Sequence, residues 1–147
     1  MIEKFKELHK SKHVFIIASG PSLAELDLSP LERRLTIGLN RSFMAFPDSY
    51  YHCAFDHRLF EIYPEQLKKT RYLFTLEDRD FGIPIKLLGT KGFSFDLKEG
   101  IYSGYTISYF ALQLAVYMGF KKIIYLGLDL QNTQDKTHFF GQDYNSE

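Results

Sequence analysis

Residues 98–129, KEGIYSGYTISYFALQLAVYMGFKKIIYLGLD, decide the fold class. Ile107, Phe110, Ala111, Leu114, Ala115 and Met118 recur at the spacing of one helical face, so the segment carries a continuous apolar stripe. Ser103 is the expected N-cap, because a short hydroxyl side chain there can accept from an orphan backbone N–H. Gly104 beside it lets another group come close to the helix start. Gly119 fits the left-handed position that stops a helix. Ile123-Ile124-Tyr125-Leu126 then forms an apolar run too short for a helix, and Gly127-Leu128-Asp129 closes it on a carboxylate. A helix followed at once by a strand apolar on both faces is half of a parallel α/β unit.

The rest of the chain repeats that pattern. His13 to Ala18 reads as a buried strand leaving through Ser19-Gly20-Pro21-Ser22-Leu23. Leu35 to Leu39 is a second strand, closed by Asn40-Arg41-Ser42, and Tyr50 to Phe55 a third, closed by Asp56-His57. Arg71 to Leu76 is a fourth, ending in Glu77-Asp78-Arg79-Asp80, and Ile123 to Leu126 is the fifth. Residues 2–12 read as a short charged helix with Phe5 and Leu8 packed on the sheet. Leu59 to Lys69 is a helical piece broken by Pro64. Ile83 to Phe95, with Pro84, Gly89 and Gly92, reads as an irregular strand-and-turn excursion. Polar residues gather at the same end of every strand. The expectation is an α/β three-layer sandwich with a mostly parallel, Rossmann-like sheet and one functional rim.

Composition narrows the function classes. Eighteen basic and eighteen acidic side chains cancel, so there is no basic footprint for nucleic acid. One cysteine, Cys53, excludes an intramolecular disulfide and suits a reducing, cytoplasmic compartment. No run approaches the roughly 20 apolar residues of a membrane span. At 147 residues the chain reads as a single domain over 1–147, shortened at its C-terminal end or a minimal form.

Four groups of residues could carry chemistry. Ser19-Gly20-Pro21-Ser22 is a turn of the kind that meets nucleotide phosphates, although it has neither the three glycines of a dinucleotide fingerprint nor a Walker lysine. Ser103-Gly104 could bind an anion at the helix start, with Asp129 across the rim. Asp78-Arg79-Asp80 has the spacing by which two carboxylates hold Mg or Mn on a nucleotide diphosphate, and it is also the spelling of an ordinary solvated turn. His52, Asp56 and His57 do not make a metal site, because strand alternation puts the two histidines on opposite faces. His138, in Thr137-His138-Phe139-Phe140-Gly141, could swing over the rim as a neutral base.

Taken together, IIASGPSL, GLNRSF, YSGYTISYFALQLAVYMGFKKIIYLGLDL and THFFG resemble, in order and spacing, the bacterial CMP-sialic-acid-dependent sialyltransferases. They also resemble the broader family that includes hydroxymethylpterin diphosphokinase-like proteins and flagellin-glycosylating accessory factors. The resemblance runs from about His13 to Gly141. It implies a nucleotide-sugar-binding domain in which Ser19, Gly20 and Asn40 contact the CMP moiety, with Pro21 and Ser22 in the same turn. Asp56 stands where that family has an Asn, Ser103 would hold the nucleotide, and His138 would be the general base for the acceptor hydroxyl. An arginine expected just before the Ser-Gly is replaced here by Gly100-Ile101-Tyr102. Tyr102, Tyr105 and Tyr144 are the candidates for easing departure of the phosphate.

Three activities follow as expectations. The first is a metal-independent glycosyltransferase that moves a sialic-acid-like sugar from a CMP-sugar to a glycan acceptor, with no cofactor and no nucleic acid involved. Peripheral membrane contact and homo-oligomerisation are compatible with it. The second is an ATP- and Mg-dependent diphosphokinase, in which Asp129 or the Asp78/Asp80 pair holds the metal. The third is a nucleotide-binding module without catalysis.

Overall fold

The computed structural model describes residues 1–128. Its central sheet has six strands, β1 (His13–Ile17), β2 (Thr36–Leu39), β3 (Tyr51–Cys53), β4 (Leu73–Leu76), β5 (Ile83–Ile85) and β8 (Lys122–Leu126). Their order is β5-β4-β3-β2-β1-β8, and all five pairings are parallel. The α/β three-layer arrangement expected from the sequence is thus present. Two further short strands, β6 (Leu87–Gly89) and β7 (Ile101–Tyr102), pair with each other in a separate parallel ladder.

The long helix α3 (Ile107–Tyr117) covers one face of the sheet. All six stripe positions, Ile107 to Met118, are buried in one core with Val14, Ile16, Ile37, Leu39, Tyr51, Cys53 and Phe74. The other face alternates with it, as strand geometry requires. There Ile17 packs against Leu23, Leu31 and Phe46, and Ala54 and Leu73 pack against α1 (His57–Ile62) and α2 (Pro64–Lys68) through Leu59, Phe60 and Leu67. Pro64 opens α2, where its missing N–H costs nothing.

Three local expectations are corrected. The strand-and-turn excursion from Ile83 to Phe95 does hold strands, and Ile83–Ile85 joins the main sheet as a sixth strand beyond the five expected, with Pro84 tolerated because β5 is an edge strand. Residues 2–12 hold only one 3-10 turn, Ile2–Phe5; Phe5 is buried and Leu8 is exposed. Glu7 and Ser11 adopt left-handed backbone, and the N–H groups of Glu7, His9 and Ser11 donate to the carbonyls of Tyr117, Met118 and Gly119. The segment therefore caps the carbonyls that α3 leaves unpaired at its end, which an independent helix could not do. Finally, Ser103 is not the N-cap of α3. Thr106 is, its side chain accepting from Tyr109 N–H, while Gly104 at φ +61° keeps the preceding turn out of the helix.

Candidate functional site at the strand ends

Because the six strands are parallel, the residues that follow them lie at one edge. Ser19 to Ser22 follow β1, Asn40 follows β2, Asp56 follows β3, Asp78 and Arg79 follow β4, and Gly127 follows β8. The chain lays strands outward from β1 to β5 and then returns through α3 to place β8 on the other side of β1. The edge beside β1 and β8 is the topological switch point, where open α/β sheets receive ligands. The first turn of α3 stands at the same edge. Tyr125 on β8 donates its hydroxyl to the Ser108 carbonyl at 3.1 Å, and the Phe55 ring beyond β3 lies 5.3 Å from that of Phe110.

The turn after β1 is bound into the fold. Ala18 N–H donates to Leu126 O at 2.9 Å and Gly20 N–H to Gly127 O at 2.8 Å, so the ends of β1 and β8 are joined across the switch point. Gly20 itself has φ −69° and ψ 157°, and Pro21–Glu25 continues as a 3-10 turn in place of a full helix. The Gly20 N–H is therefore already engaged, and Ser19 and Ser22 flank it in the turn.

Asn40 is buried and left-handed, at φ +47°, a conformation that asparagine tolerates better than most residues. Its carbonyl faces His52 Nε2 at 2.8 Å. A carbonyl can only accept, so Nε2 carries the proton. Burial holds His52 neutral, pushing its pKa down to about 4 against the partial opposing effect of the Asn40 carbonyl. His57 starts α1 on the surface. Among the described residues no group of three or more His, Cys, Asp or Glu side chains gathers as a metal would need.

Asp56 has a structural task. It caps α1 by accepting from Arg58 N–H at 2.9 Å, and the Arg58 guanidinium grips both its oxygens. That guanidinium is the main reason the carboxyl stays below its ordinary range. Asp78 does not pair with Asp80 across an open metal site; it is held by the Arg79 guanidinium, whose Nε donates to Phe55 O. Arg79 thereby ties the ends of β3 and β4.

Ser103 and Gly104 are also committed. Their N–H groups donate to Gly89 O and Thr90 O, and the Ser103 hydroxyl donates to Gly104 O. The group that comes close to Gly104 is the Tyr109 ring, 2.4 Å from where a Cβ would stand. The orphan donors of α3 are instead those of its own first turn, Ile107 and Ser108, flanked by the Thr106 and Ser108 hydroxyls. A rule available from sequence, a Ser or Thr immediately before the first periodic apolar residue, points to Thr106. Asp129 and His138 lie outside the described residues, as does Tyr144.

Sequence reading also passed over Gln113. It is fully buried on α3, and its amide accepts from Ser94 N–H and Tyr102 N–H and donates to the Tyr102 and Tyr109 carbonyls at 2.8–3.1 Å. It fastens the 90–102 loop to the helix start.

Beside the rim, a groove of about 640 Å³ opens between the segments that follow β1 and β2. Leu26 and Met44 expose apolar surface there, and Asp27, Glu32 and Asp48 border it with no cation. That lining suits a neutral or cationic group better than a phosphate. Comparison with protein-family models, with curated proteins and with solved structures found no match for the chain.

Proposed function

We propose that this chain binds a nucleotide-activated sugar, CMP-linked and sialic-acid-like, at the C-terminal rim of its sheet and transfers the sugar to a glycan acceptor without a metal. The observation that carries the reading is the reversal of strand order beside β1, with the first turn of α3 at the same edge. Ser19, Ser22 and Asn40 border the nucleotide in this reading. The first turn of α3 offers its orphan N–H groups and the Thr106 and Ser108 hydroxyls to the leaving phosphate. The motif resemblance adds the chemistry: His138 takes the proton of the acceptor hydroxyl as that oxygen attacks the anomeric carbon, and the C–O bond to the CMP phosphate breaks.

Thermal unfolding of the full chain with CMP, CDP, UDP, GDP and ATP, each with EDTA and with Mg, tests the binding step. A ligand at about 100 times its dissociation constant adds roughly 2.7 kcal/mol. The expected result is stabilisation by CMP that EDTA leaves unchanged. Stabilisation by ATP alone and only with Mg would overturn the reading in favour of phosphoryl transfer. His138→Ala should abolish transfer and keep CMP stabilisation; a variant that folds yet loses the CMP shift would remove His138 from the role of base.

A further inference from the structure

A second concave surface lies at the opposite edge of the sheet, where β4 and β5 begin. This groove of about 390 Å³ has Phe5, Tyr72 and Phe81 among its lining, together with Lys4, Lys68 and Arg71, and no carboxylate lines it. We infer that it is a binding site for a small aryl anion, a planar ring carrying one phosphate, sulfonate or carboxylate. It is independent of the activity proposed for the rim.

Phe5 is buried and braced edge-to-face by Tyr72 at 5.7 Å and by Phe74 at 5.1 Å, so the floor is rigid. Tyr72 in turn stacks with Tyr50 at 6.0 Å, and the Arg71 guanidinium sits 4.6 Å above the Tyr50 ring. Lys68 lies over Phe81, its ammonium 5.3 Å from the ring centre. Lys68 and Arg71 are thus positioned against aromatic faces, and among the described residues neither they nor Lys4 is in a salt bridge with a carboxylate. A planar ring can lie on the floor beside Phe81 and Tyr72 as its anionic group meets Lys4, Lys68 and Arg71. The volume matches one such molecule and excludes a peptide helix. Charge sign separates this groove from the acidic one beside the rim.

The probe is anilinonaphthalene sulfonate, an aryl anion whose fluorescence is easily followed in a chain without tryptophan. Saturable binding to the full chain is expected, weakened by added salt and displaced by phenyl phosphate but not by toluene. The pair Lys68→Glu with Arg71→Glu, both at exposed positions, should weaken binding by about tenfold or more. Phe81→Ala should weaken it with the charges intact. The control pair Lys86→Glu with Lys91→Glu, exposed elsewhere, should change nothing. No saturable binding, equal affinity in the charge-reversed chain, or equal loss in the control would each overturn the inference. CMP stabilisation measured on the same variants keeps the two sites apart. A CMP shift that survives Lys68→Glu/Arg71→Glu belongs to the rim, and its absence from wild type would end the rim reading while leaving this one standing.

Discussion

Gln113 is the side chain whose loss the fold should feel most sharply. Its amide meets two N–H groups and two carbonyls in a site closed to water. Gln113→Leu preserves bulk and leaves the Ser94 and Tyr102 N–H groups unpaired. An unsatisfied buried polar group costs about 1–3 kcal/mol, so the variant should lose about 3 kcal/mol or more in urea unfolding. A loss under about 1 kcal/mol would mean that water reaches the site. His52 makes a different residue-scale prediction. Its folded pKa, about 4, lies below the ordinary value of 6.5 because burial disfavours the cation. The unfolded chain therefore binds the proton more readily, and stability present above about pH 6.5 is lost progressively as pH falls toward 4. At about 1.4 kcal/mol per pKa unit the His52 contribution is roughly 3 kcal/mol. Burial also lowers the pKa of His9, whose Nε2 faces Tyr51 Oη at 2.6 Å, so the two histidines act in the same direction. The unfolding free energy from denaturation curves between pH 4 and 7.5 should rise less with pH in His52→Gln than in wild type.

Among the elements, α3 illustrates which features a sequence states openly. Its stripe was legible because the six positions face a single surface, and each is buried against it. Gly119, at φ +91°, stops it as expected. Its start was misread by three residues, since Ser103 satisfies the composition of a cap. What excludes Ser103 is the pairing of Ile101–Tyr102 with β6 and the left-handed Gly104, both set by the tertiary path of the 86–105 segment. The same holds for residues 2–12, whose charge pattern suits a helix but whose N–H groups serve the end of α3. Thr106→Ala should therefore cost about 1 kcal/mol in thermal or urea unfolding, the usual worth of an N-cap. Ser103→Ala should stay within about 0.5 kcal/mol. The reverse ranking would return the cap to Ser103.

For the whole molecule, strand–helix alternation was enough to reach the parallel sheet, but not to reveal which candidate groups at its rim were already in use. Asp56 looks like a ligand contact in a row of residues and is a helix cap in space; Asp78 looks like half of a metal site and is tied to Arg79. Two glycines at the switch point now separate fold from function. Gly127 stands at φ +75°, and a Cβ there would lie 2.9 Å from Leu23 Cδ1 and 3.1 Å from Ala18 O. Gly127→Ala is strained in backbone and in space, and should lose about 1–3 kcal/mol. Gly20, at φ −69° and ψ 157°, occupies a conformation open to any residue, so Gly20→Ala should leave the melting temperature almost unchanged. If a nucleotide passes along this edge, the added methyl at Gly20 stands in its way and CMP stabilisation should fall sharply in that variant alone. Unaltered CMP binding in a well-folded Gly20→Ala chain would move the nucleotide away from the β1 turn, leaving Asn40 and the first turn of α3 as its remaining anchors among the described residues.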